Sequence, residues 1–538
     1  MPLPDRKRLN EYATKGVNLG LRTLAIAPEQ REARALATTG TTAEGGPRVL
    51  ILSPRGWSYH LQVEGVLGQA LAERGAEVHV LTCGGGLPIC DRTNTWQAPP
   101  MPCTSCTRYT TASVTAHGHR HHQLRLAWED DPGDGLPELD EIGLADLERF
   151  EKGDLPLGAL TAIPVRWFLM NSHLDDDPLA PATVRSFLRA ADRVGRGVAE
   201  ILENVRPDVV LLLNGLFFFE AITWELCRRQ GVDVVTYERG FLPHTLEFRR
   251  DLPACRHDMG ALWEDVADRP LDERQDARLD DYLEGRRDRP HPVYDFWQGA
   301  HDEAPDRREG AKLIAAFSNV TWDSAVLGAQ RAFASTQAWL DAVVALARRR
   351  PQDDVVLRVH PAETRQWGKQ TREPVEGYLA QAHPDLPPNL TVIGSNDPRR
   401  SYPLMEACDL GLVLTSTTGL ELALLGKPVI VAGQVHYRDR GFTLDPSSAE
   451  EFDKMVDHAL EHPQSVGADV ALARRYAHAL FFTWPMSFPQ VTEPYAGLAR
   501  IRPRHRAELA DGADRDLDRI CDGILGGGDF VPTVSTAP

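Results

Sequence analysis

Short apolar runs alternate along this chain with longer stretches of helical period. RVLILSP, beginning at Arg48, is followed by HLQVEGVLGQALAERG, where Leu61, Val66, Leu67 and Leu71 recur near helical spacing. A second apolar run, AEVHVLTC, comes next. Strand, helix and strand at these lengths predict a βαβ unit, hence parallel strands joined by a right-handed crossover. After an irregular polar region near 107–180, SFLRAADRVGRGVAEILENV predicts a helix and RPDVVLLLNG a buried strand. FFFEAITWELCRRQG predicts a helix ending at Gly231, and VDVVTYERG a further strand. These elements make a first α/β domain over residues 47–255. Residues 1–46 lack strong periodicity, end in a Gly/Thr-rich stretch, and read as a partly helical extension.

A charged, proline-containing segment, 256–310, reads as a solvated helix and linker. A second series then begins. KLIAAFSN, DVVLRVHP, LTVIG, DLGLVLTS and KPVIVAG predict strands, with STQAWLDAVVALARRR and TTGLELALLG among the intervening helices. The second domain is expected over 311–485. Residues 486–538 are expected as C-terminal helices and a tail that cross back to the first domain. The fold class is therefore α/β, with two Rossmann-like parallel-sheet domains facing a cleft, in outline similar to a GT-B glycosyltransferase.

Composition narrows the function. The 538 residues are 42% hydrophobic, 25% charged and 7% aromatic, an ordinary globular balance that excludes disordered and fibrous chains. Lys+Arg number 59 against Asp+Glu 77, a net charge of −18 that speaks against a nucleic-acid partner. Nothing approaches the roughly 18–20 consecutive apolar residues needed to span a bilayer. The first residues also lack the apolar core of a signal peptide, so a cytoplasmic location is expected.

In an open parallel sheet, ligands bind beyond the carboxyl ends of the strands. In the second domain those ends carry Arg358 and His360, then Thr415, Ser416, Thr417 and Thr418 at a helix start, with Glu421 one turn on. Hydroxyls, unpaired backbone N–H groups and a helix dipole together suit a phosphate. The simple alternative is helix capping for the hydroxyls, a structural role for His360 and a surface carboxylate for Glu421. HYRDRGFT places Tyr437 and Arg440 in a post-strand loop, where arginine suits anion recognition. In the first domain the corresponding ends carry His60, Asn214, Glu238, Arg239 and His244. An attacking hydroxyl must lose its proton, which makes Glu238, His60 and His244 the candidate bases, and Asn214 and Arg239 cleft residues. The acidic run LDDDP, Leu174 to Pro178, reads as a solvated turn.

Taken together, KLIAAFSNVTWDS, RVHP at 358–361, TSTTGLELALLGKPVIVAG and HYRDRGFT resemble bacterial capsule-polysaccharide biosynthesis proteins, the family that includes the Kdo transferases. The likeness covers roughly 310–445; in the first domain it rests only on LNG and YERG. It implies glycosyl transfer from a CMP- or other nucleotide-activated sugar to a polysaccharide or glycolipid acceptor, with His360, Ser416 and Thr417 on the nucleotide. It further implies no cofactor for catalysis, since dipoles and basic groups stabilise the leaving phosphate. Peripheral association with membrane assembly machinery fits the same reading. The RGF element is also similar to one in CDP-glycerol-dependent glycerophosphotransferases. A nucleotide-sugar 2-epimerase shares the two-domain architecture, and a non-catalytic, metal-stabilised scaffold in a polysaccharide assembly complex is an alternative of a different class.

Four of the eight cysteines, Cys83, Cys90, Cys103 and Cys106, follow the pattern C-x6-C-x12-C-x2-C. In a reducing compartment this points to a structural zinc site, an iron–sulfur cluster or plain thiols. His117, His119, His121 and His122 follow and read as a solvated strand or loop, any one able to replace a cysteine ligand.

Overall fold

The computed structural model describes residues 27–37, 45–96, 101–124, 136–288, 301–324, 326–365, 370–463, 466–495, 497–528 and 530. Much of the expected N-terminal extension (1–26 and 38–44), part of the polar region (125–135), part of the linker (289–300) and the tail (531–538) lie outside the described residues.

The apolar runs form strands because helices cover both faces of each sheet, so no alternation with polar residues is needed. The first sheet contains β1 (Arg48–Leu52), β2 (Glu77–Cys83), β3 (Arg120–Leu124), β4 (Val209–Leu213), β5 (Asp233–Arg239) and β6 (Thr245–Arg250). The second contains β7 (Leu313–Phe317), β8 (Asp354–Arg358), β9 (Leu390–Ile393), β10 (Leu410–Val413) and β11 (Val429–Val431). It is wholly parallel, in the order β11-β10-β7-β8-β9. The chain then returns to the first unit through β12 (Met486–Ser487) and the hairpin β13 (Val491–Tyr495) and β14 (Leu498–Ile501). The first sheet runs β12-β6-β5-β4-β1-β2-β3, parallel from β5 to β3, with β6 antiparallel to both of its neighbours, β5 and β12.

Each strand feeds two cores. Val49 and Ile51 pack with Val66 and Leu67 of the helix Ser58–Glu73, whereas Leu50 and Leu52 pack with Phe187 and Phe218 on the other face. In the second sheet Ile314 and Ala316 meet Trp339 and Val343, while Leu313, Ala315 and Phe317 share a core with Leu422 and Tyr476.

The structure changes three expectations. Residues 486–501, expected as helix, are mostly strand, and only Arg515–Gly526 supplies a long C-terminal helix, whose Leu517, Ile520 and Ile524 complete the first core. The helix Glu273–Asp288 in the presumed linker is not a solvated spacer. Its Leu279 is buried with Met259, Leu262 and Trp263 in the second core, and Tyr282 lies 4.6 Å from Phe481. The few apolar positions that do this are diluted by charge, which hid them. The His-rich segment forms β3, with His79 Nδ1 2.8 Å from His122 Nε2 and His121 Nε2 2.7 Å from Thr82 Oγ1. His117 and His119 are stacked beneath the helix Ser58–Glu73, on Gln62 and the carbonyl of Gly65. No helix among the described residues is long and apolar enough to cross a membrane.

The LDDDP run is the joint between the two units. Asp177 is buried and takes both guanidinium nitrogens of Arg372, at 2.6 and 2.9 Å, while Asn171 Nδ2 and the N–H of Leu179 donate to the same carboxylate. Trp167 meets Trp322 edge-on beside this pair, at 5.2 Å. Removing one partner of a buried, hydrogen-bonded pair strands the other charge. Arg372→Ala and Asp177→Ala are therefore each expected to lower stability by about 3 kcal/mol. The double variant should lose little more than either single one. Denaturant melts of the four proteins check the coupling, and simple additivity would refute it.

Candidate active site at the carboxyl edges of the sheets

Register places the second unit's candidates. Val413, Phe317 and Arg358 are aligned across β10, β7 and β8, so Thr415 and His360 both lie two residues beyond one edge. The turn after β7 spans the gap between them. Ser318 Oγ accepts from the N–H of His360 at 3.0 Å, and Asn319 Oδ1 accepts from the N–H of Thr415 at 3.2 Å. His360 Nδ1 accepts from the N–H of Ala362 at 3.1 Å. Burial, and then the Arg358 charge, hold this imidazole neutral, with its pKa lowered to about 4. A neutral ring accepting at Nδ1 carries its proton on Nε2, which makes Nε2 the donor. Thr415 Oγ1 is buried and has no hydrogen-bond partner.

The hydroxyl-rich turn differs from its expected form. The helix Thr418–Leu424 is only seven residues long, and Thr417 at its start makes no side-chain cap. Ser416 Oγ caps it instead, accepting from the N–H of Thr418 at 3.3 Å and bonding Thr418 Oγ1 at 3.0 Å. Tyr437, expected in the cleft, is fully buried under the turn, and its hydroxyl donates to the carbonyl of Ser416. A Cβ at Gly419 would stand 2.2 Å from that hydroxyl, so this position requires glycine. Arg358 is also turned away from the edge. The residue is 2% exposed, and its guanidinium donates to the carbonyls of Gly394, Asp397 and Arg399, fixing the turn after β9. Glu421 is held by Arg286 at 2.7 Å, beside a small apolar cavity that Thr417 also lines. Arg440 faces Asp258 at 4.0 Å.

In the first unit, β4 and β5 bring Asn214 and Glu238 together. Asn214 Nδ2 donates to Glu238 Oε2 at 3.0 Å, and the N–H of Arg239 donates to Oε1 at 2.9 Å. The turn that allows this is left-handed at Asn214 (φ 31°) and Gly215 (φ 85°), where a Cβ on Gly215 would meet Trp224 at 2.5 Å. Arg239 stacks over Tyr59 at 3.7 Å and pairs with Glu493 at 2.7 Å, from the returning C-terminal hairpin. Arg256, just past β6, reaches the carbonyl of Leu327 at 3.5 Å, so the long loop after β7 closes over this side. His244 lies exposed in the β5–β6 turn, and its carbonyl accepts from Phe488.

His60 leads to a buried group that the strand-end rule overlooks. Its Nδ1 is 3.2 Å from the hydroxyl of Tyr237, which donates to Glu64 Oε1 at 2.8 Å; Glu64 Oε2 bonds Ser53 Oγ. Burial, then the charges of Arg239 and Arg55, lower the His60 pKa well below the ordinary range. Glu64 is pushed up to about 8 by burial, against the pull of Ser53 and Tyr237. It stands one helical turn beyond His60, and that spacing was the signal available in the sequence. Nearby, Arg55 lies between Asp91 and Glu220, gripping each carboxylate with two nitrogens at 2.5–2.8 Å. Sequence reading had given no role to these three residues.

Glu64 makes a signed pH prediction. Its ordinary pKa is 4.5 and its folded value about 8. Across that window the native state keeps a proton that the unfolded state has released, so stability falls as pH rises from about 4.5 to about 8. Glu64→Gln keeps the shape without the titration. Its Tm should change with pH less steeply downward than the parent's over that window, on a background to which Glu363, also raised to about 8, adds and which the lowered His60 and His360 oppose. An unchanged slope would show that Glu64 is ionised in the fold.

The model of a family described as Capsule polysaccharide biosynthesis protein matches residues 294–469. No curated protein matches the chain. Among solved structures, a beta Kdo 2,7 transferase, KpsC of Thermosulfurimonas dismutans, is similar at 19% identity, with 54% of this chain and 82% of that one covered and a TM-score of 0.34. The UDP-GlcNAc 2-epimerase of Neisseria meningitidis bound to UDP-GlcNAc is similar at 12% identity, covering 80% and 97%, with a TM-score of 0.25. The sucrose-phosphate synthase of Thermosynechococcus elongatus is similar at 13% identity, covering 81% and 95%, with a TM-score of 0.29. At these TM-scores the likenesses carry no argument about this chain. The segment matched by the capsule polysaccharide biosynthesis model is the one that holds His360, Thr415 and the Ser318–Asn319 turn between them.

Proposed function

We propose that the protein is a glycosyltransferase that moves a sugar from a nucleotide-activated donor, a CMP- or other nucleoside-phosphate sugar, to a surface-polysaccharide or glycolipid acceptor. The observation that carries this reading is the donor pair at the second sheet's edge. A neutral imidazole with its proton on Nε2 and a buried, unpartnered hydroxyl, Thr415 Oγ1, flank one turn. Such a pair suits phosphate oxygens, and the match to the capsule polysaccharide biosynthesis model falls on the same segment.

The acceptor enters from the first unit. Its hydroxyl oxygen attacks the anomeric carbon of the donor sugar, and the bond from that carbon to the phosphate oxygen breaks. The proton of the acceptor passes to a carboxylate, for which Glu238 is the candidate, oriented by Asn214 and by its own backbone neighbour. The leaving phosphate takes up the negative charge against His360 and Thr415. No metal has a part in these steps, and the location where this chemistry runs is read as cytoplasmic.

Two measurements test the reading. A thermal-shift screen with CMP, CDP, UDP and GDP should raise Tm for one base in preference to the others, and His360→Ala should abolish that shift while leaving the unliganded Tm within a few degrees. No shift with any of the four nucleotides would overturn the proposal. Glu238→Gln should keep the nucleotide shift but lower transfer about 100- to 10,000-fold. Full transfer activity in that variant would remove Glu238 as the base.

A further inference from the structure

The four clustered cysteines stand apart from the site above, and nothing in the proposed transfer uses them. They come from three places in the chain. Cys83 ends β2, Cys90 lies in the following loop, and Cys103 and Cys106 occupy the first turn of the helix Cys103–His117. All four nonetheless line a single cavity, together with Pro54, Leu87 and Met101.

Three of the four sulfurs accept a backbone hydrogen bond. The N–H of Gly85 lies 3.3 Å from Cys83 Sγ, and that of Arg92 lies 3.4 Å from Cys90 Sγ, the same two-residue turn used twice. The N–H of Gly56 lies 3.2 Å from Cys106 Sγ. Donors of this kind stabilise negative charge on sulfur and are the outer support that metal-bound thiolates require. The backbone makes room for the cluster as well. Gly85 has φ +84°, and a Cβ there would stand 3.4 Å from the Cβ of Cys103; a Cβ at Gly56 would stand 3.4 Å from Cys106 Sγ. Arg55 lines the same cavity, with its guanidinium already held by Asp91 and Glu220.

We infer that Cys83, Cys90, Cys103 and Cys106 form a tetrathiolate zinc site that clips the loop after β2 to the helix Cys103–His117. Four cysteine sulfurs and no carboxylate ligand among the lining residues are the donor set of a closed structural zinc site. Among the described residues no three His, Cys, Asp or Glu side chains stand in ligand geometry, so binding requires the sulfurs to draw together around the ion. Binding one Zn²⁺ releases the four thiol protons to solvent and leaves two surplus negative charges beside Arg55. The clipped loop carries Trp96, whose indole N–H donates to the carbonyl of Gln370 in the second unit at 2.8 Å. The ion thereby steadies a contact between the two halves as well as the loop itself.

The test uses the full chain without a tag. Elemental analysis should give one zinc per chain. X-ray absorption at the zinc edge should show four sulfurs near about 2.3 Å. Cys103→Ser/Cys106→Ser should lose the zinc and melt lower, whereas Cys227→Ser, at a buried cysteine outside the cluster, should keep it. Both wild-type measurements stand even if the double variant fails to fold. Iron with sulfide, substoichiometric metal, nitrogen or oxygen in the zinc shell, or a Cys103–Cys106 disulfide in protein purified under reducing conditions would each overturn the inference.

Discussion

Parallel pairing in register is the constraint on which the rest of this molecule depends. Where neighbouring strands run the same way, every strand's carboxyl end opens on one edge, and the turns that follow are forced together whatever their distance in sequence. Ser318, His360 and Thr415 are scattered over about a hundred residues, yet the alignment of Phe317, Arg358 and Val413 leaves them on adjacent turns. The same rule puts Asn214 beside Glu238, because Leu213 pairs with Tyr237. Helices on both faces protect this arrangement, and they bury the strands so thoroughly that the polar residues within them, such as His79, Thr236 and Glu247, need partners.

Polar groups that do lie inside are therefore paired with care. Arg55 bridges two carboxylates from different elements, Asp91 and Glu220, and fixes the exit of β1 to the helix Phe218–Gln230. Asp177 and Arg372 do the equivalent between the two units. Glu64 has no cation at hydrogen-bonding distance, only hydroxyls, which is why burial wins and the acid keeps its proton near neutral pH. The contrast is with Asp177, which, against its burial, the Arg372 guanidinium and the donors of Leu179 and Asn171 hold below the ordinary carboxylate range, whereas Glu64 with hydroxyl partners is pushed up.

The sheets were legible in the sequence because their signal is local. Each of KLIAAFSN, DVVLRVHP, LTVIG, DLGLVLTS and KPVIVAG is a compact apolar run, and each became a strand of the second sheet. What escaped was whatever a few residues accomplish at long range. Leu279 and Tyr282 anchor a helix whose composition is dominated by charge, so it read as solvent-facing. Asp177 sits in an acidic run that looks like a turn until Arg372, nearly two hundred residues on, is seen to meet it. Arg358 and Tyr437 stood at the right strand ends but point beneath the turns. A one-dimensional rule gives the edge on which a residue lies, and not the direction its side chain takes from there.

The two halves of the candidate site are satisfied to different degrees, and the difference bears on what each half can do. In the first unit both oxygens of Glu238 already accept N–H donors, so its orientation is fixed before anything binds. A group that must receive a proton from a passing hydroxyl benefits from that rigidity, because a displaced base loses the near-attack geometry on which its contribution depends. In the second unit the buried Thr415 Oγ1 lacks a partner, a standing desolvation penalty of about 1–3 kcal/mol in the unliganded fold. A ligand oxygen placed there relieves the penalty, so part of the binding free energy is stored in the protein beforehand. Under the proposed transfer, one edge would hold still and the other would be completed by what it binds.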